Sequence, residues 1–108
     1  MRDGLYKVDF RTPIDMGSGV VMLRGGRLHG GDSTMFYVGT YSETGSEFKA
    51  TVQAAMHTAV PGVQSVFGTD HVTIHLAGVS DGDTASMGGK ADEAPGAPFQ
   101  ATLSWICD

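Results

Sequence analysis

The segment Glu47–Met56, with the sequence EFKATVQAAM, has an apolar side chain at every second position. Because successive side chains of a β-strand point to opposite faces, this period of two predicts a strand with one buried face and one solvated face. A helix that buried one face would instead need apolar residues three and four positions apart. The predicted inward residues are Phe48, Ala50, Val52, Ala54 and Met56.

The same period of two occurs elsewhere along the chain and predicts further strands. The clearest segments are LYKVDFR at residues 5–11, HVTIHLAG at 71–78 and PFQATLSWIC at 98–107. Between them lie additional strand candidates, which are either rich in branched and aromatic residues or short and weaker. These candidates are GVVMLR, TMFYVGTY, RLHGG and TASMGGK.

Glycine-containing connectors predict that consecutive strands are antiparallel. RGGR, with Gly25 and Gly26, suits a tight hairpin turn, and ETGS and SDGD supply Gly45 and the Asp81-Gly82 pair. A meander of eight short strands closes most naturally into a small barrel, because closure removes exposed sheet edges. We therefore expect the 108-residue chain to form one all-β domain, an eight-stranded antiparallel up-and-down barrel of lipocalin or calycin type.

Two segments depart from the strand pattern. The apolar residues of 60–67 have a helical spacing, which predicts a short helical turn or an ordered loop that crosses one barrel mouth. These side chains either plug the barrel end or present a patch to a protein partner. The stretch KADEAPGAP at 90–98 is predicted to be a loop, because its prolines and acidic pair would be poor in an interior strand. The partner-binding candidates in the first segment are Val63, Val66 and Phe67.

Residues 23–41, LRGGRLHGGDSTMFYVGTY, contain two glycine pairs that could contact a ligand or only bend the chain. A dinucleotide-binding fingerprint fails because GSGVVM has methionine where the third glycine belongs. A phosphate loop fails because TASMGGKA lacks both the first glycine and the final serine or threonine. The first pair is interpreted as a turn, and Gly30 and Gly31 are interpreted as a kink or bulge before Asp32. The alternative is a ligand contact made by exposed backbone.

The histidines and the cysteine form no recognisable catalytic or metal-binding motif. His71 and His75 are four residues apart, but on a strand this separation is roughly 13 Å, too far for one ion. They and His57 are interpreted as solvent-facing, although a metal site assembled across strands from these residues with Asp70 and His29 stays open. Cys107 has no partner for an internal disulfide and is interpreted as a packing or terminal residue. We expect no enzymatic activity, no metal and no cofactor.

The charge and hydropathy of the chain argue against several classes of function. The formal net charge of −5 and the scattered lysines and arginines argue against nucleic-acid binding, which needs clustered positive charge. No apolar run reaches the ~20 residues needed to cross a bilayer. The N-terminal MRDGLYKV lacks the apolar core of a signal peptide. A cytoplasmic location without membrane association is therefore expected.

The interior of an eight-stranded barrel is either filled by side chains or able to hold one small molecule. Inward alanines and the many glycines leave room for a ligand, so both possibilities stay open. The candidates for lining such a cavity are Tyr6, Phe36, Val38, Val52, Leu76 and Trp105.

Three segments of the chain resemble the GrlR family, whose founding regulator represses type III secretion in enteric pathogens. They are DGLYKVDF at residues 3–10, GSGVVMLRGGRLHGGDSTMFYVGTY at 17–41 and SETGSEFKATV at 42–52. The most distinctive element is the Gly-Gly-Asp at residues 30–32. The resemblance covers residues 3–52 and becomes a general strand pattern beyond them.

This resemblance implies a small lipocalin-like barrel that dimerises and binds a transcriptional activator. In that family an acidic surface hairpin contacts the activator, and the matching hairpin here keeps Glu43 and Glu47 but has Thr44 and Gly45 between them. The leading hypothesis is a cytoplasmic, non-catalytic binding or regulatory module that acts through protein contacts as a homodimer. The alternative is an intracellular carrier of a small apolar ligand inside the barrel. A third hypothesis, an enzyme of unrecognised type, would require titratable groups that converge in one cleft.

Overall fold

The chain forms eight β-strands in a computed structural model that describes residues 1–13, 16–61 and 71–108. The strands are β1 (Gly4–Arg11), β2 (Met16–Arg24), β3 (Arg27–Gly31), β4 (Met35–Thr44), β5 (Glu47–Met56), β6 (His71–Asp81), β7 (Thr84–Ala91) and β8 (Ala94–Cys107). Each strand pairs antiparallel with the next, and β8 returns to pair with β1, so the sheet is closed. The predicted eight-stranded up-and-down barrel is confirmed.

Tight glycine turns join the strands at one end of the barrel and confirm the hairpin predictions. Gly25 and Gly26, with φ of 56° and 85°, form the turn between β2 and β3. Positive φ at both positions is the type I′ geometry, whose twist matches that of paired strands. Gly45 and Gly82 have φ of 62° and 63° at the first position of the β4–β5 and β6–β7 turns, as type II′ geometry requires.

The alternating apolar residues face the barrel interior. On β5, the buried residues are Phe48, Ala50, Val52 and Ala54, as the period of two predicts. Removing each large apolar side chain from water contributes roughly 1.5–3 kcal/mol. No polar side chain among the described residues is buried in this core. The largest fully buried side chains are Tyr6, Leu23, Phe48, Val72 and Leu103.

Gly30 allows β2 and β3 to approach each other closely. A Cβ atom at Gly30 would lie 2.0 Å from the backbone oxygen of Val20, so no other residue fits here without moving a strand. Neither Gly30 nor Gly31 lines a cavity in the barrel interior. β3 pairs with β2 and β4 through Gly30 and Gly31 without a register shift, so the predicted bulge is not found, and close strand approach accounts for Gly30.

The up-and-down order separates two different ends of the barrel. The glycine hairpins and both ends of the chain lie at one end, and the β1–β2, β3–β4, β5–β6 and β7–β8 connections lie at the other. The first end is closed by Tyr6 and Trp105, whose rings meet edge to face with 5.5 Å between centroids. The Arg2 guanidinium lies over the Trp105 ring at 3.6 Å. We call the opposite end the mouth.

The loop predicted for residues 90–98 is largely strand. β7 continues to Ala91, and β8 begins at Ala94 directly after the turn. Ala91 pairs with Ala94, whereas the residue before Ala91 pairs with Pro98, so the start of β8 bulges away from β7. Proline lacks a backbone N–H group. It is tolerated where the hydrogen bonds between two strands are interrupted, because a backbone N–H group at that position would have no acceptor on the neighbouring strand.

The helical turn predicted for residues 60–67 lies outside the described residues, apart from Val60 and Pro61. The described part of the chain consists of strands, turns and bends. Within it, no helix is long and apolar enough to cross a membrane.

Candidate ligand-binding cavity

The barrel interior contains a cavity of about 510 Å³ beside the mouth. Inward-facing residues of all eight strands contribute to its wall, which is mostly apolar. Ligand pockets in proteins typically measure ~300–1,000 Å³, so this volume suits a small organic molecule. The central wall includes Val52, Ala54, Ile74, Leu76, Ala101 and Leu103.

Inward alanines account for the hollow interior. Ala50 and Ala54 on β5 and Ala101 on β8 are buried and line the cavity. A methyl group reaches much less far toward the barrel axis than a leucine or phenylalanine side chain does. Since larger side chains can just fill an eight-stranded barrel, these small residues leave space at the centre.

A hydrogen-bonded aspartate stands at the mouth, where β3 joins β4. Asp32 Oδ1 accepts hydrogen bonds from the backbone N–H groups of Thr34 at 2.9 Å and Met35 at 2.7 Å, which is the geometry of an Asx turn. Asp32 Oδ2 accepts a hydrogen bond from the Tyr37 hydroxyl. Both Asp32 and Tyr37 line the cavity. The turn therefore fixes one carboxylate at the cavity rim.

The surroundings shift the pKa of both hydrogen-bond partners. Burial raises the pKa of Asp32, but the hydrogen bonds from Tyr37 and from the backbone outweigh this effect and hold the pKa below its usual value. Burial, reinforced by the hydrogen bond to the Asp32 carboxylate, raises the pKa of the Tyr37 hydroxyl. At neutral pH Asp32 is therefore ionised and Tyr37 is protonated.

Aromatic rings surround the outer part of the cavity. Phe10 meets Tyr37 edge to face with 5.9 Å between centroids, and it stacks on Phe99 at 6.0 Å. We call Phe10, Tyr37 and Phe99 the aromatic collar. Gly17 makes room for it, since a Cβ atom there would lie 2.7 Å from the Phe10 ring. All three collar residues line the cavity, as Asp32 does.

Asp32 is the only charged side chain among the described residues that line the cavity. Arg11 lies at the same end of the barrel but is exposed, with its Nε donating to Gln100 Oε1 at 2.9 Å. His57 is also exposed, and its Nε2 lies 3.0 Å from the backbone oxygen of Asp32. Neither residue lines the cavity, so no cation of the described chain faces the interior.

Only some of the residues that were predicted to line a cavity do so in the structure. Val52 and Leu76 line the cavity, as predicted. Tyr6 and Trp105 lie at the closed end of the barrel, where their rings pack against each other. Tyr6 is fully buried, and its hydroxyl donates to the backbone oxygen of Arg2 at 2.6 Å. These two aromatic residues therefore close the barrel and do not line the cavity.

The prediction was wrong for Phe36 and Val38, which are 41% and 37% exposed and point outward. Met35 and Tyr37 take the inward positions. The segment TMFYV is apolar on both faces, so a period of two does not decide which set is buried. Strand pairing decides it, because Tyr37 lies opposite the inward-facing Ala54 of β5.

Sequence reasoning missed Asp32 and Tyr37 as site residues. Part of the signal was present, since Asp-Ser-Thr between two strand candidates is typical of an Asx turn. The contact between the two side chains depends on the register of β3 and β4, which places Tyr37 opposite Gly30, close to Asp32. A single sequence does not specify that register.

Outward residues of β2 and β4 place four apolar side chains on either side of Gly31 and the exposed His29 of β3. Across β3, Val20 is aligned with Phe36, and Met22 is aligned with Val38. We call Val20, Met22, Phe36 and Val38 the outer apolar face. Three of these side chains are exposed large hydrophobic residues, and Met22 is half-buried.

The acidic hairpin that the family resemblance highlighted is exposed, and its carboxylates already have partners. Glu43 binds the N-terminal amine and accepts a hydrogen bond from the Ser80 hydroxyl. Glu47 lies 3.2 Å from the Lys49 ammonium. A protein that used this hairpin would compete with these internal contacts. Outside the described residues lie the other partner-binding candidates, Val63, Val66 and Phe67.

The predicted solvent-facing histidines are on the outer surface. His75 Nε2 lies 3.1 Å from the Asp92 carboxylate, and His57 Nδ1 lies 2.7 Å from the Thr58 hydroxyl. Cys107 is exposed and free. In the part of the chain that the structure describes, no three His, Cys, Asp or Glu side chains are grouped closely enough to hold a metal ion.

No family model matches the chain, and no curated protein gives a significant match. Membership of the GrlR family therefore stays a prediction from three sequence segments. The cavity and the outer apolar face are the features from which function can be inferred.

Proposed function

We propose that this protein is a non-catalytic carrier that binds one small apolar molecule inside its barrel. The observation that supports the proposal is the apolar cavity of about 510 Å³. With larger inward side chains an eight-stranded barrel would be filled. Of the hypotheses raised by the sequence, the hollow interior favours the carrier over a module that acts only through its surface.

The cavity wall supplies the driving force for such binding. Contact with Val52, Ile74 and Leu76 would remove apolar ligand surface from water, which contributes roughly 25 cal/mol per Å². The two titratable groups described in the lining, Asp32 and Tyr37, bind each other. This pairing fits a binding role better than catalysis, for which a free acid or base would be needed at the reacting atom.

Binding of N-phenyl-1-naphthylamine, an uncharged apolar dye, tests the proposal. The dye should bind the folded protein at one saturable site with increased fluorescence. Ala54→Phe adds a ring to the cavity wall and should weaken dye binding at least about tenfold, because the ring takes up the same space. Ala77→Phe is the matched control, since it adds the same ring to an exposed position on β6 and should leave dye binding unchanged.

Circular dichroism and urea unfolding establish that both variants are folded before their affinities are compared. Native mass spectrometry of the protein purified from its own cells should also show an adduct. Unsaturable dye binding to the unmodified protein, or equal affinities in all three proteins, would contradict the carrier proposal.

A second candidate function, protein contact through the outer apolar face, is favoured by a separate observation. Val20, Phe36 and Val38 are exposed on strands joined through β3. Exposed apolar side chains that are grouped on one face of a protein often mark an interaction site. We propose a second copy of this chain as the partner, and the GrlR resemblance suggests a transcriptional activator as a further one.

Light scattering coupled to gel filtration tests the dimer. The unmodified protein should have twice the 11.3 kDa mass of one chain. Phe36→Ser should shift it toward the monomer, because the substitution removes the largest apolar side chain of the face. Val79→Ser changes a residue that is 59% exposed on β6, away from this face, and should leave the dimer intact. A monomeric unmodified protein would contradict the proposal.

A further inference from the structure

We propose that the molecule held in the barrel is a cationic amphiphile, with its apolar body in the cavity and a protonated amine bound to the Asp32 carboxylate. This inference rests on the proposed carrier function and specifies the chemistry of the ligand. It follows from the acceptor capacity of Asp32, the charges of the cavity lining and the cavity volume.

Asp32 has acceptor capacity left for a ligand. Its Oδ1 accepts two backbone hydrogen bonds and lies 3.3 Å from the Thr34 hydroxyl, whereas its Oδ2 accepts one described hydrogen bond, from Tyr37. Each carboxylate oxygen has two lone pairs, so Oδ2 can accept a further donor. The turn and Tyr37 hold the carboxylate in place, which lowers the entropic cost of binding a ligand there.

The charges around the cavity favour a cation over an anion. A ligand carboxylate would face the Asp32 carboxylate without a compensating lysine, arginine or histidine among the described lining residues. An amine would instead form a charge-assisted hydrogen bond. The aromatic collar lines the cavity together with Asp32, and aromatic rings attract ammonium groups. The net charge of −5 also attracts cations to the protein as a whole.

The cavity volume limits the size of the apolar body. At ~30 Å³ for each water-sized group, about 510 Å³ holds on the order of 15–20 non-hydrogen atoms. A twelve-carbon chain with one small head group falls within this limit. Three such molecules differ only in the head group and so isolate its contribution: dodecylamine, dodecanol and dodecanoate.

Competition of these three molecules with N-phenyl-1-naphthylamine, at about pH 7.5 and below their aggregation limits, tests the inference. Dodecylamine should displace the dye at a concentration at least about tenfold lower than dodecanol, as expected for a hydrogen bond to a charged group. Dodecanoate should be the weakest competitor, because its charge repels that of Asp32.

Asp32→Asn tests whether the Asp32 carboxylate causes the preference for dodecylamine over dodecanol. The variant removes the charge but keeps an amide oxygen that can accept from the Thr34 and Met35 N–H groups. We call the ratio of the dodecanol concentration to the dodecylamine concentration needed to displace the dye the amine advantage. It should fall below about threefold in this variant, while the dodecanol affinity is unchanged. Asp92→Asn, at an exposed position on the mouth end outside the lining, removes the same charge and should preserve the amine advantage. Asp32→Ser, whose hydroxyl oxygen can also accept from the turn N–H groups, removes the same charge and provides the test if Asp32→Asn does not fold.

The outcomes separate this inference from the carrier proposal. Equal competition by dodecylamine and dodecanol, or stronger competition by dodecanoate, would overturn the cationic ligand and leave the carrier intact. An amine advantage that survives Asp32→Asn or Asp32→Ser, with the fold and dye binding intact, would overturn the role of Asp32. Absence of dye binding to the unmodified protein would overturn the carrier proposal itself.

Discussion

The Asp32 carboxylate joins a tight turn to the barrel wall. Backbone N–H groups of the turn bind one of its oxygens, and the Tyr37 hydroxyl of β4 binds the other. A carboxylate held in this way is less free to rotate than one on an open loop. The stability of the mouth and the position of the proposed amine site therefore depend on the same side chain.

Tyr37→Phe should lower the free energy of unfolding by about 1–3 kcal/mol, because it removes a donor from a partly buried carboxylate. Urea unfolding followed by circular dichroism measures the change. Tyr41→Phe is the control, since it keeps the ring that stacks on Phe48 at 5.5 Å and should cost less than about 0.5 kcal/mol. Equal losses in the two variants would show that the hydroxyl of Tyr37 has no special role.

The lowered pKa of Asp32 predicts a pH-dependent contribution to stability. Because the folded pKa lies below the unfolded value of about 3.9, this contribution is present above that value and is lost as the pH falls through the folded pKa. The difference in unfolding free energy between the unmodified protein and Asp32→Asn should therefore shrink below about pH 4.

Urea titrations between about pH 7 and pH 2 measure this difference. Hydrogen bonds from Ser18 and from the N-terminal amine also lower the pKa values of Asp9 and Glu43. These two groups are present in both proteins, so their contributions cancel. A difference that stays constant over the whole range would show that ionisation of Asp32 does not stabilise the fold.

At the scale of strands, glycines set how closely neighbouring β-strands approach. A Cβ atom at Gly30 would lie 2.0 Å from the Val20 oxygen, and one at Gly89 would lie 1.7 Å from the His75 oxygen. These contacts are with backbone, which cannot rotate away as a side chain can. The glycines therefore permit the strongly bent strand pairs that a small closed sheet requires.

Gly30→Ala should destabilise the protein by about 1–3 kcal/mol, because the added methyl group forces β2 and β3 apart. Gly96→Ala is the matched control, since a Cβ atom there would meet nothing within 4 Å. That substitution should leave stability unchanged or raise it by up to ~1 kcal/mol, because alanine reduces the conformational entropy of the unfolded chain. Thermal unfolding compares the two variants, and similar melting temperatures would argue against the close approach at Gly30.

At the scale of the whole molecule, the barrel is closed by strands from the two ends of the sequence. In the seam between β1 and β8, Leu5 pairs with Cys107 and Tyr6 pairs with Trp105. Closure pairs each described strand with a neighbour on both sides, so none of them is an edge strand. The seam forms only when the first and last strands are both in place, so the whole sheet should unfold together.

Urea unfolding should give coincident transitions by Trp105 fluorescence and by far-ultraviolet circular dichroism. Trp105 reports on the β1–β8 seam, and circular dichroism reports on the whole sheet. Coincidence is expected for a cooperative domain of this size. An earlier fluorescence transition would show that the seam opens while the remaining strands stay paired.

The sequence by itself determined the strands and most of their connections. The alternation in β5 specified a strand with one buried face, and Gly25 and Gly26 specified a turn with positive φ. Both signals are local, because they depend on the pleat of one strand and on the backbone conformation of one residue. Eight such strands, nearly all of them joined by short connections, were sufficient to predict the closed barrel.

Only the tertiary structure decided which face of β4 is buried and whether the interior is filled. The first depends on the partner strand, since Tyr37 faces inward because it lies opposite Ala54. The second depends on the summed volume of side chains from all eight strands, to which Ala50 and Ala101 contribute little. Register and total volume are properties of the assembled sheet. No single segment of the chain specifies either of them, and the cavity with Asp32 at its rim arises from both.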